Sequence, residues 1–427
     1  MKLISQRSSL RGSVCIPASK SHTIRAVAIG SMASGTSFVR NPLVSSDTLS
    51  AVSCFQGLGA EIDTADPTCW AIRGTGGTVS IPKEPIDVGN SGTTLPFGMA
   101  CAALLAGSGR IHFTGDHQIQ RRPVGPLMHS LTDLGTRSQA ERNNGCAPLW
   151  VEGGLKGGTT SIECLTSQYL SALLIACPMA PNDTTIEVPL LNEPDYVQMT
   201  LDWIDRQKIQ YQREGFRRFG IRGGQRYTAF DSVIPADFSS ATFFLCAGAF
   251  LDADITLRGL DFVDSQPDKA VVEYLLRMGA DIQTKPDGIR VRGSRLKGVH
   301  IDMNRTPDAL PAMSVTGAFA GGQTRLDNVP QARKKETDRI RCMAEELKKL
   351  DVRIDELNDG LIIYESGRVR AASLRGHGDH RIVMALSLMG LASEEPIEID
   401  TAEAIAVTFP DFVGLMQGLG ARFKVVE

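Results

Sequence analysis

Seven short polar segments carry residue types suited to gripping an anion and moving protons. In Pro17-Ala18-Ser19-Lys20-Ser21-His22-Thr23-Ile24-Arg25, Lys20 offers a point charge and Ser21 a hydroxyl at an expected helix start. Arg25 adds a planar fork for phosphate or carboxylate. Gly89-Asn90-Ser91-Gly92-Thr93-Thr94 is a Gly-rich approach to a second helix, without the GxxxxGK[ST] spacing of a nucleoside triphosphate cradle. Gln120-Arg121-Arg122-Pro123 sets two guanidinium groups side by side, a pattern that solvated surfaces also carry. In Arg333-Lys334-Lys335-Glu336-Thr337-Asp338-Arg339, five formal charges surround the carboxylate of Glu336. On a helix Lys335 and Arg339 would share a face, although a plain exposed charged helix reads the same way. Thr166-Ser167-Gln168, Asp308 and Gly378-Asp379-His380-Arg381 complete the set. A single His is more often structural than reactive; His380 gains weight from Arg381 beside it.

The elements that would position these groups form a repeat. Six segments share one plan: a polar start, a small-residue helix, a turn, then a short strand. The strands centre on Val39, Phe113, Val188, Leu257, Leu326 and Ile399, spaced 74, 75, 69, 69 and 73 residues apart. A second, amphipathic helix follows each strand and ends in a turn of the LGA type, as in FQGLGAEID, LTDLGTRSQ, LLRMGADIQ and MQGLGARFK. Gly in that slot supplies a left-handed C-terminal cap before the chain reverses into another strand. IDRQKIQYQ and LKKLDVRID vary the theme. The unit reads as a βαβαβ-like module used six times, which predicts pseudo-symmetric α/β domains. Ser, Thr, Asp and Asn favour helix starts for local reasons alone. Lys20, Arg25, Asp308, His380 and Arg381 nevertheless all gather at these starts. Because helix N-termini attract anions, a cleft lined by them is expected to be cationic and to bind anionic substrates.

The rest of the composition narrows the class. The chain has 427 residues, with Lys plus Arg 45 against Asp plus Glu 48 and a net charge of −3. Hydrophobic residues make up 42% and aromatics 6%, which excludes a disordered chain and argues against a base-stacking nucleic-acid platform. No apolar run approaches the roughly 18 residues of a membrane span. Nine Cys are scattered without a CxxC pair, as expected of reduced thiols in a cytoplasm rather than a zinc site. The expectation is a cytoplasmic protein with no nucleic-acid or membrane partner.

SKSHTIR, DVGNSGTT, RRPVGPL, TSQYLSALL, DFSSATFF, TPDALPAMS, KKETDRI, GDHRIVMALSL and VTFPDF occur in this order from end to end. On these motifs the chain resembles the 5-enolpyruvylshikimate-3-phosphate synthase (3-phosphoshikimate 1-carboxyvinyltransferase) family of enolpyruvyl transferases. The related branch acting on a UDP-sugar typically carries a reactive Cys loop, whereas HQIQRRP has no Cys. The resemblance implies an inside-out α/β barrel fold with two similar domains of three βαβαββ-type repeats each. These would be residues 19–235 and a discontinuous domain of 1–18 with 236–427, hinged near 18 and 236 and closing over the active site. It also implies transfer of the enolpyruvyl group of phosphoenolpyruvate to the 5-hydroxyl of shikimate 3-phosphate by a monomer, with no metal or organic cofactor.

Carried over by resemblance, Lys20, Ser21, Arg25, Thr166, Ser167, Gln168, Asp308, Gln331 and Lys335 would hold shikimate 3-phosphate, with Gln331 standing where the family has Asn. Lys20, Gly92, Arg122, Gln168, Arg339 and Arg381 would hold phosphoenolpyruvate. Asp308 would accept the proton of the attacking hydroxyl. Glu336 with Lys20 would serve the methylene carbon, and His380 joins the catalytic set. The sequence departs from the family at Ala18 (family Gly), Pro96 (Arg), Glu403 (Lys) and Asn192-Glu193-Pro194-Asp195-Tyr196 (SKPY or EKPY). Two further readings stay open on these departures: a paralogue transferring to another hydroxyl, and a binding protein without turnover.

Overall fold

The computed structural model describes residues 1–285, 288–366 and 369–427. Its contacts divide the chain into two compact units, Ala18–Ile234 and Met1–Pro17 with Pro235–Glu427.

Among the described residues, six four-stranded sheets share one strand order, three in each unit. In the 18–234 unit the sheet built on Thr36–Arg40 pairs it in parallel with Asp231–Val233 and antiparallel with Cys69–Arg73, beyond which lies Glu61–Asp63. Arg110–Thr114 and Thr184–Leu191 sit in sheets of the same pattern. In the other unit the corresponding strands are Ala253–Arg258, Gln323–Asp327 and Ile397–Ile399. Each of the six holds one of the expected strand centres. The module is βαβαββ, one strand longer than the plan read from the turns. In three sheets one strand comes from far along the chain: Asp231–Val233 beside Thr36–Arg40, Leu10–Cys15 beside Ala253–Arg258, and Lys2–Gln6 beside Ile397–Ile399.

The first helix of every module is short on charge and rich in small residues, so it can be surrounded. Lys20–Met32, Thr94–Ala102 and Ser167–Ala176 are buried along nearly their whole lengths in one unit. Phe238–Phe250, Leu310–Ala318 and His380–Ala392 are buried in the other. Small residues set the approach: a Cβ on Gly390 would collide with the Ser5 side chain and lie 2.9 Å from the Ser5 carbonyl oxygen. The second helices, such as Pro194–Arg206 and Ala270–Arg277, bury one face only. Each unit therefore places its three first helices inside, with the amphipathic second helices and the sheets around them.

The LGA turns do what Gly permits: Gly59, Gly135, Gly279 and Gly420 have φ of 111°, 100°, 93° and 106°. In the two variant repeats Lys208 and Asp351 take the same left-handed conformation, at φ 57° and 62°. The backbone geometry is thus common to all six repeats, and where Gly is missing the side chain bears the steric cost. Among the described residues no helix is long and apolar enough to cross a membrane.

Candidate functional site

The buried helices begin with polar caps, and the reactive side chains follow from those caps. In the 18–234 unit Ser19 caps Lys20–Met32 by accepting from the His22 N–H at 3.4 Å. Lys20 is the first helical residue, and its Nζ donates to Asp47 Oδ2 at 3.0 Å, with the two side chains only 16% and 5% exposed. Arg25, one turn further, is buried. Its guanidinium donates to Thr200 Oγ1 (2.9 Å), Ser21 O (3.0 Å) and Tyr196 O (2.9 Å), and its Cζ lies 5.6 Å from the centre of the Phe97 ring. Desolvation lowers the Arg25 pKa to about 10, still well above neutrality. Three of its five N–H donors are spent inside the unit. Arg25 thereby ties Lys20–Met32 to Pro194–Arg206 and packs against Thr94–Ala102.

Gly92 and Arg122 come together before the second buried helix. A Cβ at Gly92 would overlap the Arg122 guanidinium, with Cζ 2.8 Å away. Gln168 Nε2 donates to Thr93 Oγ1 at 3.1 Å, so the third helix start is bonded to the second. The Tyr169 hydroxyl donates to the Pro123 carbonyl and holds the Arg122 segment against the same helix. At the N-terminus of Ser167–Ala176, one carboxylate oxygen collects three donors. Glu193 Oε2 accepts from Thr166 Oγ1 (3.2 Å), the Ser167 N–H (3.2 Å) and Ser167 Oγ (2.7 Å).

In the other unit Arg339 is the hub, 1% exposed. It donates from Nε to Asp379 Oδ2 (2.8 Å), from Nη1 to Asp308 Oδ1 (2.7 Å), and from Nη2 to Glu336 Oε2 (2.5 Å) and Asp379 Oδ1 (3.2 Å). Burial works against this charge, but Asp379, Glu336 and Asp308 outweigh it and raise the Arg339 pKa. Burial likewise works against the Asp379 carboxylate, which Arg339 nevertheless holds below its ordinary range. Arg381 Nη2 reaches Asp308 Oδ2 at 3.2 Å. Asp379 caps His380–Ala392 through the Arg381 N–H (2.9 Å), and the Thr337 hydroxyl donates to it at 3.0 Å.

Several expectations change. Lys335 and Arg339 do not share a helical face: Asp338 caps a helix that starts at Arg339, and Lys335 stands outside it at the end of the turn Pro330–Lys334. Glu336 meets Arg339 across that junction instead. His380 is 2% exposed, and burial lowers its pKa to about 3 despite Asp379. Burial therefore favours the neutral imidazole. Gln331 is buried, with Nε2 donating to Asn304 O at 2.9 Å. Pro96 lies buried in the first turn of Thr94–Ala102, where its missing N–H costs little. Glu403 accepts from the Met1 ammonium at 2.9 Å and is 55% exposed.

The expected excess of positive charge is matched by the chain's own carboxylates. Asp47 faces Lys20; Asp308, Glu336 and Asp379 surround Arg339; and Glu193 fills the donors of Thr166 and Ser167. Asp47, Glu193 and Asp379 were not singled out as site residues in the sequence. Asp379 had a signal, an Asp directly before a helix. A potential metal-donor set also lies together, Glu345, Glu346 and His377. Both oxygens of Glu346 already accept from Lys349 Nζ, at 2.8 and 2.7 Å, so an ammonium of the chain holds that position.

Three βαβαββ repeats per unit, with guanidinium–carboxylate networks at the starts of buried helices, define the enolpyruvyl transferase class of α/β protein. Residues 4–416 match the family model described as EPSP synthase (3-phosphoshikimate 1-carboxyvinyltransferase). The 3-phosphoshikimate 1-carboxyvinyltransferase of Acetivibrio thermocellus is 49% identical over 427 residues, covering 100% of both chains. That of Methanocella arvoryzae is 42% identical over 424 residues, covering 98% of this chain and 99% of its own. The EPSP synthase structure from Acinetobacter baumannii matches with a TM-score of 0.84 at 27% identity, covering 100% of both chains. The chain belongs to the EPSP synthase family and is a transferase.

Proposed function

We propose that this chain transfers the enolpyruvyl group of phosphoenolpyruvate to the 5-hydroxyl of shikimate 3-phosphate, releasing phosphate, as a cytoplasmic monomer of the shikimate pathway. The observation that carries the reading is the Asp308–Arg339–Glu336 network with Arg381. It offers two carboxylates for proton transfer and two guanidinium groups for a carboxylate or phosphate. Full-length similarity to named 3-phosphoshikimate 1-carboxyvinyltransferases favours shikimate 3-phosphate over another acceptor.

The roles follow from the chemistry. Glu336, with Lys20, delivers a proton to the methylene carbon of phosphoenolpyruvate, and positive charge develops at C2. The acceptor hydroxyl adds there as Asp308 takes its proton, giving a tetrahedral ketal. Loss of the methyl proton and of phosphate regenerates the vinyl ether. Arg122, Arg339 and Arg381, with Gly92 and Gln168, hold phosphoenolpyruvate, and the cations stabilise the leaving phosphate. Ser21, Arg25, Thr166, Ser167, Gln331 and Lys335 hold the acceptor. His380, beside Asp379 and Arg381, completes the catalytic set.

The test is phosphate release from phosphoenolpyruvate with shikimate 3-phosphate, with the vinyl ether identified by mass. Asp308→Asn and Glu336→Gln should each lower kcat by about 10²–10⁴-fold. Wild-type protein that binds both substrates without releasing phosphate refutes the reading.

A further inference from the structure

We propose that Glu193 is an internal anion that occupies the acceptor's phosphate site until a phosphorylated acceptor displaces it, so that it sets how tightly a phosphorylated acceptor binds and leaves an unphosphorylated one unaffected. This inference rests on the proposed function, which gives Thr166 and Ser167 to shikimate 3-phosphate.

Glu193 Oε2 takes both hydroxyls and the Ser167 backbone N–H, at 3.2, 2.7 and 3.2 Å. These donors sit at the N-cap and first residue of a ten-residue helix, whose dipole favours an anion. The carboxylate is delivered by a strained backbone. Glu193 is 1% exposed, has φ 59° and directly precedes Pro194, a combination disfavoured for a side chain with a Cβ. Its conformation is maintained by the fold around it and by the bonds its carboxylate makes. One set of three donors cannot serve a buried carboxylate and a phosphate dianion together, because two anions at that distance repel. The phosphate must therefore displace the Glu193 carboxylate. A dianion with three acceptor oxygens outcompetes a single carboxylate oxygen for these donors; an acceptor with only hydroxyl groups does not. Displacement thus lowers affinity for a phosphorylated acceptor, whereas an acceptor with only hydroxyl groups leaves Glu193 in place. Asn192, which donates from Nδ2 to Leu165 O at 3.3 Å, keeps the segment attached beside the helix start.

Glu193→Gln removes the charge at constant shape and can still cap the helix. Binding of shikimate 3-phosphate and of shikimate is measured by calorimetry on the full chain, alongside phosphate release in steady state. Shikimate 3-phosphate should bind the variant about 3–10-fold more tightly, with shikimate unchanged and KM for the phosphorylated acceptor falling relative to that for phosphoenolpyruvate. Unchanged or weaker binding of shikimate 3-phosphate, with the melting temperature retained, overturns the proposal, as does an equal gain for shikimate. If the variant is poorly folded, Glu193→Ala and Glu193→Asp are measured instead; equal affinity in these two overturns the proposal. Wild-type protein that binds shikimate 3-phosphate but releases no phosphate refutes the proposed function alone. If neither wild type nor variant binds it, both readings fall.

Discussion

Asp379 joins two structural roles in one buried side chain, and its substitution separates them. Its carboxylate is 0% exposed, accepts Arg339 Nε at 2.8 Å and Nη2 at 3.2 Å, and caps His380–Ala392 through the Arg381 N–H. Asp379→Asn keeps the cap, since Asn serves the N-cap position as well as Asp. It removes the negative charge and one acceptor. Breaking one side of a buried ion pair costs about 3–5 kcal/mol. Arg339 retains Asp308 and Glu336, at 2.7 and 2.5 Å, so the lower end applies and a loss of about 3 kcal/mol is expected. Asp379→Ala should lose about 1 kcal/mol more, the value of the cap. Both are large against a total stability of about 5–15 kcal/mol. The assay is urea unfolding followed by far-UV circular dichroism. Fluorescence is the wrong probe, because Trp70, Trp150 and Trp203 all lie in the 18–234 unit and Asp379 lies in the other. The pH dependence has a defined sign. The folded-state pKa of Asp379 is lowered, so its contribution is present above its unfolded value of about 3.9 and lost as pH falls through the folded value. The advantage of wild type over Asp379→Asn should hold from pH 7 to about 5 and shrink towards pH 3. A difference below about 1 kcal/mol at pH 7, or one undiminished at pH 3, refutes the pairing argument.

Gly92→Ala should push the Arg122 guanidinium away from its place and raise KM for phosphoenolpyruvate about tenfold or more, the value of one charge-assisted hydrogen bond; a KM within twofold of wild type would mean that Arg122 does not grip that substrate. Lys208→Gly relieves a left-handed non-glycine residue and should raise the unfolding free energy by about 0.5–1 kcal/mol, whereas Asp351→Gly should gain less because Asp tolerates that conformation; thermal melts of the two variants compare them. His377 has the opposite pH behaviour to Asp379: hydrogen bonding to Cys342 and to Glu346 raises its pKa to about 10. Its contribution is complete below the ordinary value near 6.5 and lost as pH rises towards 10, so the stability gap between wild type and His377→Asn should close over that interval. A gap that is constant from pH 6 to 10 would show that His377 is not held protonated.

What could be read from the sequence is what short-range chemistry decides. The six strand centres and the polar helix starts were legible because caps, left-handed turns and small-residue helices are set within a few residues. The limit appears even at short range: residues 335–338 looked helical by composition, yet Asp338 accepts from the Arg341 N–H and begins the helix at Arg339. An Asp three residues before a backbone donor was the sequence signal for that boundary. Strand partners supplied from the far end of the chain, such as Lys2–Gln6 beside Ile397–Ile399, carry no local mark at all. The same holds for the carboxylates. Asp47 meets Lys20 across 27 residues, Glu193 meets Ser167 across 26, and Asp379 meets Arg339 across 40. Counting cations near helix starts therefore anticipated a strongly positive site, whereas the folded chain supplies a carboxylate to most of those cations and donors. This changes what binding must accomplish. The phosphorylated acceptor, as the proposed function has it, exchanges with an anion already present instead of filling an empty positive site. Affinity is then set by the difference between two paired states, and an internal carboxylate such as Glu193 can shift it without touching the reacting atoms.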